Sequence, residues 1–166
     1  MEYVLRGLTL RDASSIAEQI NNIKIWNNLR DGLPYPYTEA DAREFIYLAK
    51  EKDLLVDFAI VVSGKAVGVI SLILGRDVER ISAEIGYWLG EEYWGNGIMS
   101  RAVKEVVEYA FEKLSLHKVF ATVFSFNVAS MKVLEKAGFT KEAVLKSAFI
   151  KNGKIIDCHY YSIIKK

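Results

Sequence analysis

The stretch that decides the fold reads Gly86-Tyr87-Trp88-Leu89-Gly90-Glu91-Glu92-Tyr93-Trp94-Gly95-Asn96-Gly97-Ile98-Met99-Ser100. It predicts a strand that ends at Leu89, a short glycine loop, and a helix that begins at Gly97. Gly95 and Gly97 carry no side chain, so the backbone can approach a ligand closely there. The amides of Gly97, Ile98 and Met99 are predicted to point out of the helix N-terminus, where phosphate binds through amides and the helix dipole. A tight turn that binds nothing is the alternative interpretation.

The residues that follow the glycines exclude two common phosphate-binding loops. No Lys-Ser or Lys-Thr pair follows them, although a Walker-type nucleotide loop requires one. The third glycine of a dinucleotide fingerprint would fall at Ser100, so that motif is absent as well. A carrier with a diphosphate, such as coenzyme A, remains as the predicted ligand.

Helix and strand patterns alternate on both sides of this stretch, which predicts one α+β domain over residues 1–166. Capping boxes at Thr9 and Thr38 open two helices, Asn127 caps a third that Gly138 ends, and the longest helix pattern covers 97–113. Turns at Ser63-Gly64-Lys65 and Asn152-Gly153 predict two hairpins. The predicted strands cover 1–8, 57–62, 66–74, 81–89, 119–124, 143–150 and 155–164.

Composition limits the possible classes of protein. The chain has 166 residues, of which 51% are hydrophobic and 26% charged, and this excludes disorder as the main state. Its 22 Lys and Arg balance 21 Asp and Glu, which argues against a nucleic-acid partner. Cys158 is the one cysteine, and no apolar run is long enough for a secretory leader or a membrane span. We therefore interpret the chain as a soluble cytoplasmic protein without a membrane partner.

A second motif follows the glycine loop, Asn127-Val128-Ala129-Ser130-Met131-Lys132-Val133-Leu134-Glu135-Lys136-Ala137-Gly138-Phe139. Together the two motifs resemble the GNAT superfamily of acyl-CoA N-acyltransferases. The glycine loop is similar to the family's Gln/Arg-x-x-Gly-x-Gly/Ala pyrophosphate loop. The second motif looks like the Asn-x-x-Ser … Lys-x-Gly-Phe segment of the RimJ/RimL branch, the ribosomal-protein N-terminal acetyltransferases and their relatives. The resemblance covers nearly the whole chain.

The resemblance implies an α+β fold (α/β in some schemes) with a mixed, mostly antiparallel central sheet. Helices would flank both faces, and the sheet would splay at the cofactor strand. It also implies direct transfer of an acetyl group from acetyl-CoA, in a ternary complex, to a primary amine on a protein N-terminus or a small molecule. The protein would be a monomer or a homodimer, without a metal. The residues implied in cofactor binding are Tyr87, Trp88, Leu89, Gly95, Asn96, Gly97, Ile98, Met99, Ser100, Asn127 and Ser130.

The chain departs from the family at two positions. Glu92 occupies the usual Gln/Arg position, which removes one expected polar contact near the phosphates. Leu134 stands where many members have a tyrosine that protonates the leaving thiolate, a role leucine cannot fill. These departures favour a second hypothesis, a non-catalytic acyl-CoA sensor. A third, a nucleotide-binding interaction protein, is disfavoured by the missing lysine and third glycine.

Two residues are predicted to take part in catalysis. Ser130 lies one helical turn after Asn127, on the same face, and becomes the candidate proton donor, directly or through water. A hydroxyl that bonds its own helix is the alternative for Ser130. Glu84 could take the amine proton through water, and the alternative is a solvated residue at the start of a strand. Glu92 and Glu135 are interpreted as surface charges.

The remaining candidates concern the acceptor and a possible metal. The segment Trp26–Tyr37 is predicted to form a wall of the acceptor pocket, or else a packed connection between helices. His117 is interpreted as structural. Asp157 and His159 would share one face of a strand, which supplies too few ligands for a metal site. Cys158, between them, is interpreted as a small core residue.

Overall fold

The computed structural model describes all residues, Met1–Lys166, as one seven-stranded sheet with five helices. The order of the strands in the sheet is β1-β2-β3-β4-β5-β7-β6. The strands are β1 Val4–Gly7, β2 Asp57–Val62, β3 Lys65–Leu74, β4 Ser82–Leu89, β5 Lys118–Phe124, β6 Thr140–Lys151 and β7 Lys154–Ile164. The helices are α1 Ala13–Ile20, α2 Ile23–Trp26, α3 Glu39–Lys50, α4 Ile98–Glu112 and α5 Val128–Lys136.

Antiparallel pairing dominates the sheet. β1 with β2, β2 with β3, β5 with β7, and β6 with β7 all pair antiparallel, whereas β4 and β5 are parallel. The predicted mixed, mostly antiparallel sheet is therefore confirmed. No helix of the chain combines the length and apolar character that a membrane crossing requires.

The chain divides into two compact units. One comprises Met1–Ser71 and Tyr87–Ile98, and the other comprises Leu72–Gly86 and Met99–Lys166. The prediction of one domain over residues 1–166 stays a prediction.

The core of the first unit is built from the apolar stripes that the helical spacing predicts. Ala13, Ile16 and Ile20 of α1 and Ala42 and Ile46 of α3 are buried. They belong to one cluster with apolar side chains of β2 and β3. The recurrence of these residues at three- and four-residue intervals places them on one face of each helix.

The capping boxes at the start of these helices differ from each other. At α3, the Thr38 hydroxyl accepts from the Asp41 amide at 3.2 Å, and the Asp41 carboxylate accepts from the Thr38 amide at 2.7 Å. Ahead of α1, a short 3₁₀ turn over Leu10–Asp12 intervenes, so the helix begins later than the Thr9 motif predicts. There the Thr9 amide donates to Asp12 at 2.9 Å.

Asp12 is buried and also pairs with a cation. The Arg6 guanidinium donates two 2.8 Å hydrogen bonds to the two carboxylate oxygens of Asp12. Burial raises the pKa of Asp12, but the hydrogen bonds from Arg6 and Thr9 outweigh it and hold the pKa below its usual value. The carboxylate is therefore charged at neutral pH and ties β1 to the start of α1.

We expect Arg6→Met to lower the free energy of unfolding by about 2 kcal/mol at neutral pH, because it leaves a buried carboxylate with fewer donors. Since the folded pKa of Asp12 is depressed, the contribution of this pair is complete above roughly pH 4. It is lost as the pH falls through the folded pKa. Urea unfolding at neutral pH and at a pH below the folded pKa of Asp12 measures the contribution of the pair. Arg11→Met, at an exposed position, is the control. Equal losses in the two variants would contradict a specific role for Arg6.

The second unit is organised around α4 and the hairpin β6–β7. The α4 stripe of Ala102, Val103, Val106, Val107 and Ala110 is buried, as the helical spacing predicts. The hairpin turns at Asn152 and Gly153, with φ of 50° and 73°. Both values lie in the left-handed region that a two-residue turn of this kind requires, so the Asn-Gly prediction is confirmed.

Candidate functional site

The glycine loop leaves β4 at Gly90, in the first unit. The Gly90 amide donates to the Val67 carbonyl at 2.8 Å, which keeps the loop start on β3. A Cβ at Gly90 would lie 2.0 Å from Oε1 of Gln19, so a side chain there would displace the end of Gln19. The position of the loop therefore depends on α1 as well as on β4.

Side chains from the α1–α2 region bind the two glutamates that open the loop. Gln19 Nε2 donates to Glu92 Oε1 at 3.0 Å, and Asn22 Nδ2 donates to Glu91 Oε2 at 2.7 Å. Lys24 forms an ion pair with Glu91, and its hydrogen bond to that carboxylate holds the pKa of Glu91 below the usual value. Glu92 is exposed, as predicted, but its carboxylate holds the loop on α1 through Gln19.

The rest of the loop is fixed by its own side chains. Trp94 Nε1 donates to the Leu89 carbonyl at 2.7 Å. Asn96 Nδ2 donates to the carbonyls of Tyr93 at 3.2 Å and Trp94 at 3.1 Å. The Asn96 side chain thus shapes the loop, and the residue can offer a ligand chiefly its backbone.

The two predicted glycines combine a left-handed backbone with open space. The φ angle is 76° at Gly95 and 68° at Gly97, a region that other residues adopt at a cost. A Cβ built at either glycine would meet no protein atom within 4 Å. The backbone there is therefore strained for most residues and accessible to a ligand.

The first residues of α4 contribute their backbone rather than their side chains. Ile98 and Met99 are only 1% and 7% exposed, so their side chains belong to the core. Ser100 is half-buried. A phosphate at this helix N-terminus would meet amides and the positive end of the helix dipole.

The parallel pairing of β4 with β5 is short. It joins Ser82–Glu84 to Lys118–Phe120, although β5 continues to Phe124. Tyr87, Trp88 and Leu89 follow the paired segment on β4. The splay of the sheet at this strand, which the resemblance implies, stays a prediction.

Glu84 lies within the paired segment, so the interpretation of a solvated residue at the strand start is wrong. Its side chain is half-buried, and Oε1 accepts a 2.7 Å hydrogen bond from the Thr122 hydroxyl of β5. The strand register explains this contact. Glu84 pairs with Phe120, and Thr122, two residues further along β5, lies on the same face of the strand as Phe120. The hydrogen bond orients the carboxylate, as a general base requires.

Asn127 caps α5, as the sequence predicts. Its Oδ1 accepts from the Ser130 amide at 3.2 Å, and Gly138, with φ of 96°, follows the end of the helix. Ser130 is half-buried on the first turn. Leu134, one turn later, is fully buried, so a core side chain occupies the position where the resemblance implies a tyrosine.

The cap allows a test that separates structure from cofactor use. We expect Asn127→Ala to lower the free energy of unfolding by about 1 kcal/mol, and Asn127→Asp to keep the cap because a carboxylate also accepts from the helix amides. Asn127→Asp should still weaken acetyl-CoA binding, because it adds a negative charge and removes a donor. Calorimetry and urea unfolding measure the two effects. If Asn127→Asp keeps both affinity and rate, Asn127 is a cap only.

Glu135 has a buried partner that the sequence does not reveal. The fully buried Tyr161 of β7 donates its hydroxyl to Glu135 Oε1 at 3.0 Å. Burial, and then this hydrogen bond, raise the pKa of Tyr161 to about 12, so the hydroxyl remains protonated at neutral pH. Glu135 is an exposed residue, as predicted, but its carboxylate also fixes α5 on β7.

His117 directly precedes β5, and Asp157 and Cys158 lie on β7. His117 is exposed, and its backbone amide and carbonyl bond Ile81 and Lys165. Asp157 accepts from the Ser147 amide at 2.9 Å and thereby holds an irregularity of the β6–β7 pairing. The Cys158 side chain is fully buried, and no group of three or more His, Cys, Asp or Glu side chains is arranged to hold a metal ion.

A cleft of about 300 Å³ lies in the first unit, beside the segment 26–37 that we predicted to form an acceptor wall. The ring of Trp26 lies 5.7 Å from that of Tyr35, and its Nε1 donates to the Leu33 carbonyl at 3.0 Å. These contacts give the segment a defined form. The cleft is lined by Ile16, Ile20, Gly32, Leu33, Pro34, Tyr37, Asp41, Glu44, Phe45, Leu48, Val69 and Trp88.

A comparison with protein families decides the family. Residues 3–140 match the family model of the acetyltransferase (GNAT) domain. The chain belongs to the GNAT acetyltransferase family. The family resemblance read from the two motifs is therefore confirmed.

Individual GNAT relatives agree with this assignment. The uncharacterized N-acetyltransferase YoaA of Bacillus subtilis is 45% identical over 83 residues, which are 50% of this chain and 47% of YoaA. The crystal structure of ribosomal-protein-S5-alanine acetyltransferase from Vibrio fischeri superimposes with a TM-score of 0.85 at 28% identity, over 99% of this chain and 93% of that one. This likeness confirms the resemblance to the RimJ/RimL branch.

A second GNAT structure was determined with acetyl-CoA bound. Microcin C7 self immunity acetyltransferase MccE, in complex with acetyl-CoA and AMP, matches with a TM-score of 0.85 at 27% identity. The match covers 99% of this chain and 93% of MccE. The fold of this chain is thus one in which a relative binds acetyl-CoA.

Proposed function

We propose that this GNAT protein is an acetyl-CoA-dependent N-acetyltransferase that acts on a primary amine of a protein N-terminus or a small molecule. The observation that carries the proposal is the pair of left-handed glycines, Gly95 and Gly97, with open space around them directly before α4. Such a loop and helix N-terminus suit a diphosphate. The complex of MccE with acetyl-CoA supports acetyl-CoA as the ligand that carries this diphosphate.

The cofactor would be held mainly by backbone groups. The amides of Gly97, Ile98, Met99 and Ser100 would bind the diphosphate, and the backbone of Tyr87–Leu89 would pair with the pantetheine arm. The core positions of the Ile98 and Met99 side chains support a backbone role. Gly95 and Asn96 complete the loop, and Asn127 with Ser130 would contact the pantetheine from the start of α5.

The reaction needs a neutral amine that attacks the thioester carbon in a ternary complex. A C–N bond forms, the C–S bond breaks, and the amine proton passes to the base while the thiolate leaves. Glu84, oriented by the Thr122 hydroxyl, would accept the proton through water. Much of the rate would come from holding the two reactants together.

A release assay for free thiol tests the proposal. Acetyl-CoA and a panel of amines, including peptides that begin with Ser, Ala or Thr, should release coenzyme A in an enzyme-dependent manner. Acetyl-CoA binding by calorimetry without release from any amine would favour the second candidate, a non-catalytic acyl-CoA sensor. The buried Leu134 is the observation that favours this candidate. Stronger thermal stabilisation by ATP than by coenzyme A would contradict both.

A further inference from the structure

We propose that the acceptor is a primary amine carried on an apolar group, without a free carboxylate beside the amine. This inference rests on the proposed transfer reaction, and it specifies the class of acceptor. Three properties of the cleft in the first unit carry it: the apolar walls, the sign of its charges, and its continuity with β4.

The walls of the cleft are mostly apolar. Ile16 and Ile20 of α1, Leu33 and Phe45 contribute hydrocarbon surface, and Trp88 adds an aromatic face. The volume of about 300 Å³ is at the lower end of small-molecule sites. A polar acceptor would lose its hydration there and gain few hydrogen bonds, whereas an apolar group would gain from burial.

The charged side chains that line the cleft are both acids. Asp41 and Glu44 lie about one turn apart on α3, and no lysine, arginine or histidine lines the cleft. The Asp41 carboxylate accepts from both the amide and the hydroxyl of Thr38, at 2.7 and 2.8 Å, and these bonds hold its pKa below the usual value.

The phenol of Tyr37 adds no charge of its own. Burial, followed by the charges of Asp41 and Glu44, raises the pKa of Tyr37 to about 12, so the hydroxyl stays neutral. The field in the cleft is therefore negative. It attracts an ammonium ion and repels an acceptor that carries a carboxylate next to the amine.

The cleft adjoins the strand assigned to the acyl carrier. Trp88 lines the cleft and also lies between Tyr87 and Leu89, the segment of β4 proposed to pair with pantetheine. An amine bound against Trp88 therefore lies beside the strand along which the thioester would be held. The continuity argues for an acceptor site rather than for an unrelated surface cleft.

The first test compares acceptors by kcat/KM in the thiol-release assay. We expect the kcat/KM for leucinamide to exceed that for glycinamide by about 10- to 100-fold, the factor that corresponds to burying a leucine side chain. We expect free leucine to fall at least about 10-fold below leucinamide, because its carboxylate meets the two acids. Pentylamine and a peptide amide that begins with leucine are compared in the same assay. A higher kcat/KM for pentylamine indicates a small-molecule acceptor, and a higher kcat/KM for the peptide amide indicates a protein N-terminus. Glycinamide equal to leucinamide, or leucine equal to leucinamide, would overturn the inference.

Variants locate the effect in the cleft. Glu44→Gln should narrow the preference for leucinamide over leucine by about threefold or more, while Glu39→Gln, on the same helix but outside the cleft, should not. Leu48→Ser should reduce the preference for leucinamide over glycinamide by a similar factor. Its control is Tyr47→Ser, an exposed neighbour that does not line the cleft. Equal effects in variants and controls would contradict the assignment.

The inference and the proposed function fail in different ways. If acetyl-CoA binds but no amine releases thiol, the transfer reaction is wrong. The inference is then decided by calorimetric titration of leucinamide and glycinamide into the protein saturated with coenzyme A. Tighter binding of leucinamide supports the apolar acceptor site, and equal or absent binding overturns it.

Discussion

Replacing Gly97 by valine is expected to lower the affinity for acetyl-CoA by about 100-fold or more, because a branched side chain would occupy the space where amides meet the diphosphate. A Cβ at Gly97 meets no protein atom within 4 Å, so the added bulk would meet the ligand. Calorimetric titration of acetyl-CoA into wild type and variant measures the loss.

The left-handed backbone complicates this substitution and calls for a second variant. At a φ of 68°, valine is strained whether or not a ligand binds. Asparagine tolerates this region, so Gly97→Asn should add a side chain with little strain. We expect Gly97→Asn to lose affinity while its free energy of unfolding stays close to that of wild type.

The hairpin turn at Gly153 provides a matched control for both variants. Gly153 has a φ of 73° and, like Gly97, open space around its Cβ position. Gly153→Val and Gly153→Asn therefore impose similar backbone costs outside the glycine loop, and we expect them to keep acetyl-CoA affinity. Wild-type affinity in Gly97→Asn would contradict the diphosphate site, and a loss at Gly153 would show that strain alone is responsible.

Local patterns predicted most of the fold because they act over a few residues. The stripe on α4, the Asn127 cap and the Asn152-Gly153 turn each depend on neighbours within about one helical turn or one hairpin. The register of the sheet does not depend on such close neighbours. The short parallel pairing of β4 with β5 joins segments separated by a helix, and nothing in either segment states where it ends.

The contacts that sequence reasoning missed join distant parts of the chain. Gln19 with Glu92, Thr122 with Glu84, and Tyr161 with Glu135 each pair a polar side chain with an acid that looked like a surface charge or a solvated residue. A polar residue carries no signal in one sequence that names its partner. The acids of the cleft likewise carry no signal in the sequence, where they look like residues of a solvated helix face. Only the fold brings apolar residues around them.

The largest catalytic effect is expected at Ser130. Ser130→Ala should lower kcat by about 10- to 1,000-fold. General acid–base groups contribute about 100- to 10,000-fold, so the expected loss overlaps that range and reaches below it. Leu134 is buried, and its side chain supplies no proton to the leaving thiolate. Ser130 lies on the same helix, one turn earlier, and its hydroxyl can donate a hydrogen bond.

A serine hydroxyl is a far weaker acid than a thiol, so full proton donation from it is unfavourable. It can donate a hydrogen bond to the thiolate as charge develops and relay a proton from water. Such an interaction is stronger in the transition state than in the ground state. We therefore expect Ser130→Ala to bind acetyl-CoA almost as wild type does, while kcat falls.

Steady-state kinetics and calorimetry on matched variants test this role. Ser130→Thr keeps a hydroxyl and should recover part of the rate. Ser14→Ala removes an exposed hydroxyl from α1 and should change neither kcat nor affinity. The cap does not confound the comparison, because Asn127 binds the backbone amide of residue 130, which alanine retains. Wild-type turnover in Ser130→Ala would remove the serine from the mechanism. The thiolate would then leave with only backbone amides, water and the positioning of the two reactants to assist it.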